Sequence, residues 1–365
     1  MRTALIVGLS LWTLLACTTP RATPTAPQSA STESRAETES AAPPAVAPAA
    51  ASGPTLVRLG ANVGASDAGI FLAMDWGYFA EQGLEIEIIR GSGSEQVAAL
   101  ATGEMDVGAG AVSAGLLNAM SRELPLRIVA DKGSNPPGFG YQAIVLRKDL
   151  WDSGQVRSWA DLRGRRIAAA SVRSSVDFLL ARGLAEAGLK LEDVDLVQVA
   201  YPDMNMALAN GVIDAASFWE PLLTVGLEQG ILVRWKGIDE VDPGHQSGTI
   251  LYGTSFLANR PELGHRFMLA YVRALRLYND AFRKGIGRDE VIASIARHTG
   301  VRPDLLARGV PVGLNPDGCA NAQDLADQVA WFRSQGYLQR DLDLDAVLDN
   351  RFCQQAAQQL GPYSY

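Results

Sequence analysis

Two nine-residue stretches of this chain, 108 positions apart, follow one pattern. Leu100-Ala-Thr-Gly-Glu-Met-Asp-Val-Gly108 is answered by Leu208-Ala-Asn-Gly-Val-Ile-Asp-Ala-Ala216. In each, the spacing ends a helix on a glycine, Gly103 or Gly211, the residue best suited to a left-handed helix stop, and starts a strand beside Asp106 or Asp214. The flanking segments agree: Arg166–Ala170 reads as a strand, Ser175–Ala187 as a helix and Leu196–Ala200 as a strand. Duplicated α/β halves are the simplest account, and extending the same offset sets Ala111-Val-Ser113 and Trp219-Glu-Pro221 just beyond corresponding strand ends, facing a shared mouth.

The first half shows the units most openly. Val57–Gly60 is a short apolar strand, Ser66 and Asp67 offer a cap, and Ile70, Phe71, Met74 and Phe79 recur at helical spacing up to Gly83. Leu84–Ile89 alternates as a strand, Gly91-Ser-Gly-Ser94 turns into a helix over Glu95–Ala101, and Met105–Val107 begins the next strand. Repeated βα units of this length predict a parallel sheet with helices on both faces. Ligands of such sheets sit beyond the carboxyl ends of the strands, at these loops.

The run Phe71-Leu-Ala-Met-Asp-Trp-Gly-Tyr-Phe-Ala-Glu-Gln-Gly-Leu84, followed by Leu100–Gly108, resembles the solute-binding proteins of ABC importers for sulfonates, taurine, nitrate and thiamine-pyrimidine precursors. The likeness extends over residues 57–260. It implies an α/β, two-lobed, type II periplasmic-binding-protein-like fold with two hinge strands and a helical C-terminal segment, a small solute held between the lobes, and a permease with its ATPase as partners. It implies no cofactor and does not fix the solute.

Ahead of this region, Arg2 precedes an apolar run over Ala4–Leu15, too short to span a bilayer and shaped like a secretory signal. Leu14-Leu-Ala-Cys17 has lipobox spacing, so residues 1–16 are read as a lipoprotein signal and Cys17 as the lipidated residue, against an ordinary cleavage site. Residues 17–54 form the expected tether: Thr18–Pro54 holds seven of the eighteen prolines and no aromatic, Leu or Ile, too little apolar surface to offset ordering. The expectation is an exported, membrane-anchored monomer. Its lobe one comprises 55–140 and 250–365, and lobe two 141–249. Phe139–Leu146 and Gly248–Ser255 serve as hinge strands, and helices over 289–299, 303–308, 321–335 and 344–360 return to lobe one.

Loss of residues 1–16 takes the formal charge from −8 to −9, since Arg2 is their only charged residue, and a mildly acidic chain without a basic stripe is unsuited to nucleic acid. Enzyme chemistry is scarce. His245, His265 and His298 lack the Cys or paired-acid spacing of a zinc site, and no nucleophile elbow or phosphate loop occurs, so neither a catalytic residue nor a metal is assigned. Cys319 and Cys353 are either a disulfide or two independent thiols.

Candidate solute contacts come from strand-to-helix junctions, where free backbone N–H groups and small hydroxyl residues suit an anion. They are Asp67, Ser92, Ser94, Ala111, Ser113, Arg173 and Ser174, with the alternative that each serine only caps its own helix. Trp219 leads the aromatic candidates, with Tyr201, Tyr141, Phe139 and Tyr252 behind it. Glu220 would welcome an amino group or ring nitrogen of the solute, or would pair with Arg173. Trp331, Phe332 and Tyr337 are read as packing residues.

Overall fold

The computed structural model describes residues 53–91, 93–122 and 124–365, residues 93 and 94 by backbone only. The expected signal, Cys17, nearly all of the tether, Ser92 and the Ser94 side chain therefore lie outside the described residues. Among those described, no helix is long and apolar enough to cross a membrane.

Among the described residues, ten strands build two five-stranded sheets. In the first are β1 (Thr55–Ala61), β2 (Leu84–Arg90), β3 (Val107–Ala111), β4 (Arg127–Asn135) and, from later in the chain, β10 (His245–Tyr252), in the order β2-β1-β3-β10-β4. The second holds β5 (Gln142–Arg147), β6 (Arg166–Ala169), β7 (Asp195–Gln198), β8 (Ala215–Trp219) and β9 (Leu232–Gly237), in the order β7-β6-β8-β5-β9. The sheets have one plan. Four strands in each run in one direction, three of them as parallel neighbours, and the fourth in the order, β10 or β5, is antiparallel to both strands beside it. The echoed segments lead into the equivalent strands β3 and β8. The all-parallel sheet expected from the βα units is thus corrected to a mixed one, because the chain enters each sheet once by a crossing strand rather than through a βα turn.

The chain passes between the sheets twice, through 136–141 and 238–244. The two segments read as hinge strands flank these crossings: β5 begins at Gln142, within the second sheet, and β10 begins at His245 and lies wholly in the first.

Most of the C-terminal segment packs on the first sheet. The helix Pro261–Lys284 buries twelve of its residues, including Phe267, Tyr271 and Tyr278, and ends on Gly285 at φ 73°, where a side chain would be strained. Its buried tyrosines are satisfied: Tyr271 donates to the Asp131 carbonyl at 2.9 Å and Tyr278 to that of Val312 at 2.8 Å. Tyr252 donates to the Gly264 carbonyl at 2.7 Å and belongs to this core, not to a ligand wall. Cys319 and Cys353 are bridged, with Cα atoms 5.3 Å apart. The expected helix over 344–360 forms only from Arg351 to Leu360. Ahead of it the chain is captured by the edge of β4, where Ile128 donates to Val347 O at 2.8 Å and Asp349 to Ile128 O at 2.7 Å.

Candidate functional site

Between the two sheets lies a cavity of about 200 Å³ walled from both sides. The first sheet supplies the loop after β1 (Asn62–Ser66), Ala111, Lys132, and Ser247 with Gly248; the second side supplies Tyr141 and Trp219-Glu-Pro221. Thr299, Val301 and Val312 close it from the C-terminal segment.

Lys132 is the buried charge of this cavity. It stands in the middle of β4, 4% exposed, with Nζ 3.0 Å from Asp67 Oδ1 and donating to Ser66 Oγ at 2.9 Å. Asp67, 1% exposed, is fixed in turn by the Gly64 N–H, which donates to Oδ2 at 2.9 Å. The loop before it is strained: Val63 sits at φ 61°, a region costly for a β-branched residue and retained at sites that the surroundings over-determine. Asp67 therefore serves the cavity indirectly, by neutralising the lysine beside it.

Trp219 ends β8 and forms the opposite wall. Tyr201 packs behind it, tilted by 33°, at 4.8 Å between ring centres, and Tyr141 stands 6.1 Å away. Tyr141 is hydrogen-bonded to Ser247 Oγ at 2.6 Å, and burial pushes its phenol well above the ordinary value. Trp219 Nε1 is buried and has no hydrogen-bond partner among the described residues. Glu220 does not pair with Arg173. Its Oε2 accepts from Thr224 N and Oγ1 at 3.1 and 2.7 Å, and its Oε1 from Val310 N at 3.4 Å, a bond from the second sheet's side to the C-terminal segment.

Ala111, Tyr141, Trp219 and Glu220 thus line the cavity, with Asp67 and Tyr201 supporting it. Ser113, Arg173 and Ser174 are brought together elsewhere, at a seam. Ser113 and Ser174 form an antiparallel bridge, Ala114 N donates to Arg173 O at 3.1 Å, and Ser175 N to Val112 O at 3.4 Å. Both serines cap their own helices, Ser113 Oγ accepting from Leu116 N and Ser174 Oγ from Val176 N. Arg173, at φ 55°, carries its guanidinium 5.4 Å over the Tyr337 ring. Ser113 borders a neighbouring cavity, which meets the first at Ala111.

The sequence reading missed Lys132, Ser247 and Thr299. Arg127–Asn135, to which the sequence pattern assigned no element, is β4. A lysine between an apolar stretch and Gly133 was the available signal. His245 was read as isolated and is not: Nδ1 lies 3.2 Å from Asp242 Oδ2 and 3.4 Å from Asp324 Oδ1. Asp242 was visible at i−3, whereas Asp324 is distant in the chain.

Two sheets of one plan, joined by two crossings and enclosing a cavity at their carboxyl ends, define an α/β protein of the two-lobed periplasmic-binding type. The chain belongs to the NMT1/THI5-like family, whose model matches residues 65–280. It is 31% identical over 153 residues to a putative binding protein of Brucella abortus (42% of this chain, 44% of that one). To a putative aliphatic sulfonates-binding protein of Escherichia coli it is 28% identical over 171 residues (47% and 48%). The matched stretches thus span less than half the length of these relatives. Among solved structures, the alkanesulfonate-binding protein SsuA of Xanthomonas axonopodis pv. citri superposes with TM-score 0.63 at 22% identity, covering 82% of this chain and 99% of that one. The nitrate-binding protein NrtA of Synechocystis, at TM-score 0.66 and 15% identity (84% and 89%), and the desulfurization enzyme DSZB, at 0.59 and 16% (84% and 100%), share the fold.

Proposed function

We propose that this chain is the solute receptor of an ABC importer, exported, anchored through a lipid on Cys17, and closing its lobes on a small organic solute for delivery to a permease. The observation that carries the reading is the cavity whose walls come from both sheets. A guest touching Lys132 and Ser247 on one side and Trp219 and Glu220 on the other favours the closed form, because those contacts exist together only there. The bond that Val310 N donates to Glu220 Oε1, at 3.4 Å, and the one that Arg308 Nε donates to Glu228 Oε1, at 2.7 Å, span the same cleft.

The charge balance of the lining separates the ligand classes. Lys132 and Glu220 are its charged residues; the lysine is neutralised by Asp67, and Arg173 is turned toward Tyr337. No cation of the lining is left for a bare sulfonate or nitrate, and burying an uncompensated anion beside Glu220 is costly. This favours a zwitterion such as taurine or an uncharged heteroaromatic of the thiamine-pyrimidine type, stacked on Trp219. The charged groups of the lining are held by protein partners, Lys132 by Asp67 and Ser66 and Glu220 by Thr224 and Val310, which supports a binding role over a thiamine-pyrimidine synthase-like activity.

The test is calorimetric titration with taurine, an aminopyrimidine, ethanesulfonate and nitrate, preceded by native mass spectrometry of protein from its own host. Binding of taurine or the aminopyrimidine at least tenfold tighter than of either bare anion is expected. Tighter binding of ethanesulfonate or nitrate would overturn the charge argument, and a mass spectrum with no retained solute together with no binding in any titration would overturn the receptor.

A further inference from the structure

We propose that Asp242, His245 and Asp324 form a binding site for one divalent cation of the zinc type, at the seam where the chain returns from the second sheet to the first. The three side chains come from the crossing segment, the first residue of β10 and the helix Ala322–Ser334. All are buried, at 6%, 0% and 6% exposure for Asp242, His245 and Asp324, and their candidate ligand atoms lie within 4.8 Å of one another.

The geometry fits a metal better than hydrogen bonds alone. Zinc bonds of about 2.0 Å in a tetrahedron place neighbouring ligand atoms about 3.3 Å apart. His245 Nδ1 lies 3.2 Å from Asp242 Oδ2 and 3.4 Å from Asp324 Oδ1. One imidazole nitrogen carries at most one proton, so it cannot serve two carboxylate oxygens fully. Asp242 Oδ2 is buried, points at this nitrogen outside hydrogen-bond geometry and has no hydrogen-bond partner among the described residues. A cation at the centre would satisfy all three atoms at once.

The outer carboxylate oxygens are already held, as a metal site requires of its ligands, while His245 Nε2 is buried with no hydrogen-bond partner among the described residues. Arg182 Nη1 is 3.1 Å from Asp242 Oδ1, while Asp324 Oδ2 accepts from Gln246 N at 2.7 Å and Gln328 Nε2 at 2.6 Å. Phe178 stacks on the His245 ring at 5.9 Å, fixing its plane. Because Arg182 and Phe178 belong to the helix Ser175–Ala185 over the second sheet, a bound cation would stiffen the junction between the two sheets. The solute cavity is a separate place and shares none of these residues.

The experiment uses the full chain without a polyhistidine tag, stripped with chelator and titrated with zinc chloride, followed by calorimetry, elemental analysis and thermal unfolding. One equivalent per chain binding below micromolar, with a raised unfolding midpoint, is expected. Asp242→Asn, chosen because it lies outside helix and strand, and His245→Gln should each weaken zinc at least 100-fold while leaving the far-ultraviolet circular dichroism unchanged. Should one variant misfold, the other carries the comparison. Absence of stoichiometric zinc binding, or binding undiminished in a folded variant, would overturn the site; a His245 ring found doubly protonated at neutral pH and unmoved by zinc would assign the cluster to a proton instead.

Discussion

Replacing Lys132 by methionine should destabilise the protein by about 3–5 kcal/mol, the usual cost of breaking a buried ion pair by removing one partner. The magnitude follows from what remains. Asp67 is 1% exposed and would keep only the Gly64 N–H at 2.9 Å against a buried negative charge. Asp67→Asn should cost less, about 2 kcal/mol, since the lysine retains Ser66 Oγ at 2.9 Å and its long stem can turn toward the cavity. The double variant removes both charges at once, and its loss should fall well below the sum of the single losses, to about 2 kcal/mol or less, as apolar replacements of buried pairs are often neutral. Urea unfolding at pH 7, followed by tryptophan fluorescence, yields all four corners of the cycle. A coupling of about 2 kcal/mol or more is expected, little changed by 1 M salt because the pair is shielded from solvent. A Lys132→Met loss below about 1 kcal/mol, or additive single effects, would refute the claim that this lysine is neutralised within the protein, and with it the charge argument for the solute.

Three further outcomes are expected. Trp219→Ala should weaken the solute by about 1–3 kcal/mol without unfolding the chain, and unchanged calorimetric affinity would remove Trp219 from the site. Asp177, whose Oδ2 accepts from Arg173 N while Oδ1 has no partner among the described residues, is pushed by burial up to about 6. Its ionised form is thus disfavoured in the fold, a penalty of about 2–3 kcal/mol that is full above pH about 6 and fades as pH falls toward about 4. Asp177→Asn should accordingly be the more stable form at pH 8 and match the parent near pH 4; a pH-independent difference would sink this reading. Cys353→Ser opens a loop of 34 residues and should cost about 4 kcal/mol on loop entropy, measured by denaturant midpoint against the oxidised parent.

The duplicated plan was legible in the linear pattern because it rests on local chemistry. A glycine that ends a helix, an aspartate at a strand entry and apolar periodicity act over a few residues, and they recur at Gly103 and Gly211 in elements of the same kind. Trp219, Glu220 and Ala111 were found through that recurrence, since equivalent strand ends must face one mouth. What depended on distant partners was not legible. Arg173 looked like an anion ligand until its loop was placed against Tyr337, and the helix expected over 344–350 gave way to pairing with the edge of β4. Lys132 gained its meaning only when Asp67, 65 residues earlier, came within 3.0 Å of it, and His245 only when Asp324 arrived from the far end of the chain. Short-range preferences are written residue by residue, whereas whether a charge is buried, and which opposite charge meets it, is decided by how the sheets and the C-terminal helices close around it.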